Sequence, residues 1–243
     1  MSQVLIIGAK SDIAKAIARE YAKHGYDLYL AARNVDELEE FANDITVRTQ
    51  RTVTTHELDI LNYDSHQAFY EQFKEKPLGV ISAVGYLGDQ DKAQVDFHEA
   101  QRIIDTNYTG VTSLFNIIAN DFEKRRSGFI VGISSVAGDR GRKSNYVYGS
   151  AKGALTAYLS GLRNRLYASQ VHVLTVKPGF VATKMTADMD LPEKLTAQPE
   201  SVAEDIYKAQ QKNKNTLYTK WIWRWVMLII RMIPEHIFKR TSL

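Results

Sequence analysis

An α/β fold, with a doubly wound parallel sheet and helices on both faces in a single domain, is predicted by three observations. Short apolar runs ending in Gly or Ser alternate with segments of helical period along most of the chain. A helix-length segment separates successive runs, which forces crossover connections and therefore parallel strands. No stretch rich in Gly, Pro or Ser divides the 243 residues, 44% of which are hydrophobic, enough to cover a sheet on both sides.

The elements follow in order. VLIIG is the first strand, and SDIAKAIAREYAKHG repeats its apolar positions with helical spacing before stopping on Gly25. DLYLAAR and VDELEEFANDIT form the second strand and helix, and VTTHELD and YDSHQAFYEQF the third pair. LGVISAVG is the fourth strand and leads into a long helical stretch, FHEAQRIIDTNYTGVTSLFNIIANDFE. GFIVGISS precedes a helix containing YGSAKGALTAYLSGLRNRLYA, VHVLTVKPG is the sixth strand, and LYT is a short last one. This order is Rossmann-type, and the chain carries no solenoid-length repeat or low-complexity segment.

Charge and composition restrict the partners. Lys and Arg number 31 against 28 Asp and Glu, and a net charge of +3 is too small to imply nucleic-acid binding. With no cysteine there is no disulfide framework or thiolate metal site, and the six histidines lack metal-ligand spacing. MSQVLIIGAK enters a strand pattern at once, so a cytoplasmic location is expected.

In a sheet of this type the ligand lies at the carboxyl ends of the strands, where the first turn feeds a helix whose free N–H groups attract a pyrophosphate. That turn is GAKSDIA. Gly8 permits the bend, Lys10 and Ser11 offer a charge and a hydroxyl to a phosphate, and Asp12, with Ile13 beside it, is expected to cap the helix. The second strand ends in Ala31, Ala32 and Arg33 with no carboxylate before Asp36. An Arg at this position pairs with a 2′-phosphate, so NADP(H) is favoured over NAD(H). Asp59, next to Ile60 at the end of the third strand, serves as an acceptor for the adenine amino group or as a turn residue. In YGSAK, Tyr148 and Lys152 stand four apart on one helical face, where the ammonium charge is expected to make the phenol a better acid.

With YGSAK, a strand ending in ISS thirteen residues before the tyrosine, and PG after the sixth strand, the chain resembles the short-chain dehydrogenase/reductase family over roughly its first 220 residues. The resemblance implies a catalytic group of Ser135, Tyr148 and Lys152, with Asn107 completing a proton relay by positioning a water. It implies that Pro178, Gly179, Val181 and Thr183 hold the nicotinamide carboxamide, that Ala83 and Gly85 line the cofactor ribose, and that Tyr148 and Lys152 also touch the cofactor. Two departures stand out. The family's G-x-x-x-G-x-G turn has Asp12 and Ala14 in place of its second and third glycines, and its N-N-A-G is here Ser82, Ala83, Val84 and Gly85.

The chain ends KWIWRWVMLIIRMIPEHIFKRTSL, unlike the preceding domain, so it is divided into a catalytic unit, 1–220, and an amphipathic tail, 221–243. From Trp221 to Ile233 only Arg224 and Arg231 are polar, and the run is too short to span a bilayer. A helix with a basic stripe and an apolar face is expected to lie in a membrane interface, against the alternatives of a subunit contact or a roof over the substrate site. TKMTADMDLPEKLTAQPE, before the last helix of the catalytic unit, is expected to be a mobile substrate lid. Three readings follow: a reductase for a lipidic or lipid-linked ketone at a membrane surface; a soluble dehydrogenase for a small alcohol or ketone whose tail builds a homo-oligomer; and a nucleotide-binding scaffold or redox sensor without turnover.

Overall fold

In the computed structural model, which describes residues 2–187 and 190–241, strands and helices alternate in the predicted order. They are β1 (Gln3–Ile7), α1 (Asp12–Lys23), β2 (Asp27–Ala32), α2 (Glu39–Thr49), β3 (Val53–Glu57), α3 (His66–Glu71) and β4 (Gly79–Ser82). Then come α4 (Gln90–Val95), α5 (Phe97–Ile104), α6 (Gly110–Arg125), β5 (Phe129–Ile133), α7 (Tyr146–Leu166) and β6 (His172–Pro178). The chain continues through β7 (Phe180–Val181), β8 (Thr196–Ala197), α8 (Pro199–Gln211), β9 (Thr216–Thr219), α9 (Ile222–Met232) and α10 (Glu235–Phe238).

Seven strands form one parallel sheet in the order β3-β2-β1-β4-β5-β6-β9, while β7 and β8 pair separately. The order reverses between β1 and β4, and the crevice above such a reversal is where ligands bind in doubly wound sheets. Strand alternation assigns the two cores. Val4 and Ile6 face the layer that includes Ile17 and Tyr21 of α1 and Val202 and Ile206 of α8; Leu5 and Ile7 face Phe115 and Phe122 of α6 and Leu155 and Leu159 of α7. All twelve of these side chains are buried, and each contributes on the order of 1.5–3 kcal/mol of apolar burial. The two layers hold the strand ends rigid beneath the loops that carry the chemistry.

The long helical stretch after β4 is not one regular helix. Between α5 and α6 residues Asp105–Thr109 form a single π-helical turn, an irregularity common at functional sites, and it contains Asn107. Among the described residues no helix is long and apolar enough to cross a membrane.

Candidate active site

At the end of β1 the backbone turns through Gly8, at φ +78°, where a Cβ would lie 2.9 Å from the Val84 nitrogen. Only glycine lets β1 and the end of β4 approach this closely. Ser11 then caps α1, its Oγ accepting from the Ala14 N–H at 3.2 Å. The N–H groups of Asp12 and Ile13 have no partner among the described hydrogen bonds, so the helix presents two free donors and its positive dipole end to the crevice. A dinucleotide's pyrophosphate fits this end. The expected capping by Asp12 is corrected: Ser11 has the extended backbone of a cap residue (φ −71°, ψ 149°), whereas Asp12 is already helical. The Asp12 carboxylate reaches outward and accepts from the Lys184 N–H at 2.7 Å, joining the first turn to the segment after β7.

A cleft of 420 Å³ runs from this turn across the ends of β2 and β3, bordered by Gly8, Arg33, Asp59 and Ile60. Arg33 is exposed at the end of β2, and the turn beyond it is held by Glu57, whose two carboxylate oxygens accept from the Asn34 and Val35 N–H groups at 3.1 Å each. Lys10 lies 2.7 Å from Glu37, so its charge is already partly matched. Asp59 accepts from the Leu61 N–H at 3.0 Å while bordering the cleft, which gives it the turn role without removing its second oxygen.

A second cavity, of 350 Å³, opens beside β5, β6 and the start of α7. Lys10, Ser11, Ala83, Val84 and Gly85 border both spaces, which therefore meet over the β1/β4 reversal. Here Ser135, Tyr148 and Lys152 come together with Asp12, Ile13, Pro178, Gly179, Val181 and Thr183. Ser134, buried, is occupied with the Lys152 carbonyl and Thr156, so of the two serines at the end of β5 that border the cavity it is Ser135 whose hydroxyl is left to meet a substrate. Lys152 is 2% exposed and donates from Nζ to the Val84 and Ile133 carbonyls at 3.2 and 3.1 Å. Its Nζ is 5.7 Å from the Tyr148 ring centre.

Burial dominates the electrostatics of this group. It pushes the Tyr148 phenol up to about 12, with the Ser135 hydroxyl acting in the opposite direction, and it lowers Lys152 to about 7. The expected acidification of Tyr148 by Lys152 is thus not found: removal from water drives both groups toward their neutral forms, and the lysine charge is not among the causes acting on the phenol. Asn107, fully buried, donates to the Tyr86 and Ile103 carbonyls at 2.6 and 2.8 Å and accepts from the Tyr86 N–H at 3.3 Å. Both donor hydrogens of its amide serve the backbone, so the water-positioning expected of its side chain is restricted to the remaining lone pair of Oδ1. It nevertheless lies near Lys152. A Cβ on Gly85 would sit 3.7 Å from both Asn107 Oδ1 and Lys152 Nζ.

Comparison with known proteins agrees with this arrangement. The family model described as short chain dehydrogenase matches residues 2–194. An uncharacterized oxidoreductase of Mycobacterium tuberculosis is 35% identical over 240 residues, covering 98% of this chain and 96% of that protein. The chain belongs to the short-chain dehydrogenase/reductase family. An NADP-dependent 3-hydroxy acid dehydrogenase of Schizosaccharomyces pombe is 28% identical over 229 residues, 88% of each chain. A short-chain dehydrogenase from Sphingobium yanoikuyae, solved in complex with NADPH, has the same fold, with a TM-score of 0.85 at 22% identity over 97% of each chain. The protein is therefore an NAD(P)-dependent oxidoreductase.

Behind the wall of its second cavity this short-chain dehydrogenase/reductase packs residues that the sequence pattern did not single out. Gly179 donates to the Thr219 carbonyl at 3.0 Å, and a Cβ there would lie 1.9 Å from the Trp223 indole, so α9 docks directly on the PG turn. Trp223 donates from Nε1 to the Leu195 carbonyl at 3.0 Å, meets Phe180 edge to face, and packs with Val136, Met227 and Ile230. Arg140 pins the end of α9 through the Ile230 and Ile233 carbonyls and Glu235. The single apolar face expected of the tail is thus two faces: Trp223, Met227 and Ile230 point inward, while Trp225, Leu228, Ile229 and Met232 are exposed. Arg142 and Asn145, between Ser135 and Tyr148, also border the cavity. Their one sequence signal was their position between two catalytic candidates. Of the expected lid, residues 188–189 lie outside the described residues; the remainder contains two short turns, Lys184–Thr186 and Glu193–Leu195, and β8.

Proposed function

We propose that the protein is an NADPH-dependent ketone reductase acting on a lipidic or lipid-linked substrate, and that it works at the cytoplasmic face of a membrane, to which α9 attaches it peripherally. The observation that carries the reaction class is the meeting of Ser135, Tyr148 and Lys152 in a cavity continuous with a dinucleotide cleft. Gly8, Ser11, Asp12 and Ile13 take the pyrophosphate, Arg33 the 2′-phosphate, Asp59 and Ile60 the adenine, Ala83 and Gly85 the ribose, and Pro178, Gly179, Val181 and Thr183 the carboxamide. When bound, the cofactor supplies hydride to the carbonyl carbon.

The chain's own residues handle the proton and the orientation. Ser135 Oγ donates to the carbonyl oxygen and aligns it beside the phenol. Tyr148 then gives its proton to the oxygen as negative charge develops there. A phenol pushed up to about 12 is protonated at pH 7, the form in which it can donate to the developing oxyanion. Lys152, lowered to about 7, can hold or release a proton at Nζ near neutrality and so resupply Tyr148, with Asn107 beside it. Because the chain is an oxidoreductase, the scaffold reading is not retained.

Support for a lipidic substrate comes from α9, whose inner face packs behind Val136 and Phe180, which border the cavity, while its outer face presents Trp225, Leu228, Ile229 and Met232 beside Arg224 and Arg231. Tryptophan, aliphatic and basic residues on one helix suit a lipid interface. A small-ketone reductase is the second reading, favoured if a second copy of the chain covers that outer face in a homo-oligomer. The test is NADPH consumption against a panel of short-chain, long-chain and lipid-linked ketones, with NADH in parallel. Turnover of long or lipid-linked ketones with NADPH is expected; confinement to short ketones would select the second reading, and equal use of NADH would remove the cofactor preference.

A further inference from the structure

Arg142 is the feature of the second cavity that the reductase reading leaves unexplained. It is part-buried in the loop before α7, borders the space that holds Ser135 and Tyr148, and reaches back to Met227 of α9, whose sulfur its Nη2 meets at 3.2 Å. Its Nε is buried with no hydrogen-bond partner, and among the described residues it joins no salt bridge. Native structures seldom leave a buried guanidinium donor unmatched, because the desolvation of the charge is then uncompensated.

The neighbouring charges do not supply a partner. Asp139, three residues earlier, has one carboxylate oxygen on Lys177 and the other accepting from the Tyr218 hydroxyl at 2.7 Å. Arg140 is consumed by the carbonyls at the end of α9 and by Glu235. Asp12 is the one carboxylate that borders the cavity among the described residues, and it accepts from the Lys184 N–H. Lys184 itself borders the cavity as a further cation. Asn145 has an unpartnered Oδ1 there, but an amide oxygen is an acceptor and serves a hydroxyl, not an anion. Burial lowers the guanidinium's pKa, with the Asp139 charge opposing, which is the signature of a cation short of counter-charge.

We infer that Arg142 binds an oxoanion, a carboxylate or phosphate ester, on the carbonyl substrate, so that the enzyme's preferred ketones are anionic. This rests on the reductase reading and narrows its substrate class. The planar fork of arginine matches such a group through two parallel N–H donors, and the soft Met227 sulfur is readily displaced by it. The anion sits under the inner face of α9, beside the reacting carbonyl rather than in the nucleotide cleft.

The experiment measures kcat/KM with NADPH for matched ketones carrying a carboxylate, a phosphate ester, or the methyl ester of that carboxylate, in short and long-chain versions. Wild-type protein is expected to favour the anionic ketones over the neutral ester by tenfold or more, and Arg142→Met to bring that ratio close to one, with Arg142→Lys in between. Carboxylate and phosphate ketones compared with each other identify the source of the anion. A ratio near one in the wild type, or an unchanged ratio in Arg142→Met, overturns the inference; the latter is what a role confined to holding Met227 produces. If no ketone is turned over, the reductase reading fails, and calorimetric titration of NADP-saturated protein with butyl phosphate decides separately. Saturable binding lost in Arg142→Met then supports the anion site, and no binding overturns it.

Discussion

Tyr148 is the side chain on which the proposed proton transfer depends, because among the described residues no other phenol borders the same cavity as Ser135. Replacing it with Phe keeps the ring that packs with Ala93, Ala100 and Ile103 of α4 and α5 and removes the donor, so kcat is expected to fall by roughly 10²–10⁴ while NADPH affinity stays within a few-fold. Fluorescence titration alongside steady-state rates checks both. Arg33→Ala is expected to weaken NADPH binding about tenfold or more and leave NADH nearly unchanged, since only NADPH carries the 2′-phosphate. Equal losses would dissolve the assigned contact. Lys152 links pH to stability. Its folded pKa of about 7 lies below the ordinary 10.5, so between those values the unfolded chain binds more protons and stability rises with pH. Below about 7 both states are protonated and the contribution is gone. Urea midpoints of the apo protein are expected to climb from pH 7 to 8.5, an upper limit that keeps Tyr148, ordinarily at 10.0, almost wholly protonated in both states, and Lys152→Met is expected to flatten the climb. A parallel rise in the variant would assign the effect to other groups.

Among the elements, α1 and α9 carry the clearest consequences. Ser11 is the one side-chain cap of α1, so Ser11→Ala is expected to cost about 1 kcal/mol and also to loosen the turn that receives the pyrophosphate. Thermal melts with and without NADP separate the two, because a purely structural cap would lower both by the same amount. The docking of α9 rests on the fit of Trp223 against Gly179 and on the Arg140 contacts with its last carbonyls. Trp223→Ala removes a large buried ring and an indole hydrogen bond, a loss of about 3–5 kcal/mol if the tail unfolds only with the rest of the chain. Hydrogen exchange is expected to rise in 193–195 and 222–232 well before it rises in the sheet. Uniform loss of protection would show instead that the tail and the sheet unfold together.

For the assembled chain the tail divides between an inner face packed behind Val136 and Phe180 and an outer surface. Truncation before Trp221 is expected to leave NADPH binding intact, since the assigned nucleotide contacts all precede it, while uncovering Val136, Phe180 and Leu195. Ketone turnover should then drop more than cofactor affinity. With the full chain, flotation on liposomes is expected, stronger on anionic than on neutral lipid, and weakened by the paired change Arg224→Glu and Arg231→Glu. If the chain fails to float with either lipid and sedimentation shows truncation splitting an oligomer, the outer face belongs to a second copy and the lipid-linked reading loses its support.

Strand alternation, helical spacing and turn residues are local properties, so the order of elements and the parallel sheet were legible along the chain, while the Ser135, Tyr148 and Lys152 set was implied by the family resemblance carried by YGSAK and the ISS strand end. Gly8 and Arg33 were legible for the same reason, each standing at a strand end that the pattern itself locates. Contacts between distant segments were not. Asp12 and Lys184 are 172 positions apart, and no local pattern shows that the acid would leave the cap to Ser11 and reach across the crevice. Which residues of the apolar tail turn inward was decided by the Gly179 and Leu195 surfaces they meet. The protonation balance of Tyr148 and Lys152 likewise came from burial, a property of the packed chain that spacing does not contain. Sequence determined which groups are neighbours along a helix or strand, because backbone geometry repeats; tertiary structure decided which are dry, paired or left without a partner, because those depend on everything packed around them.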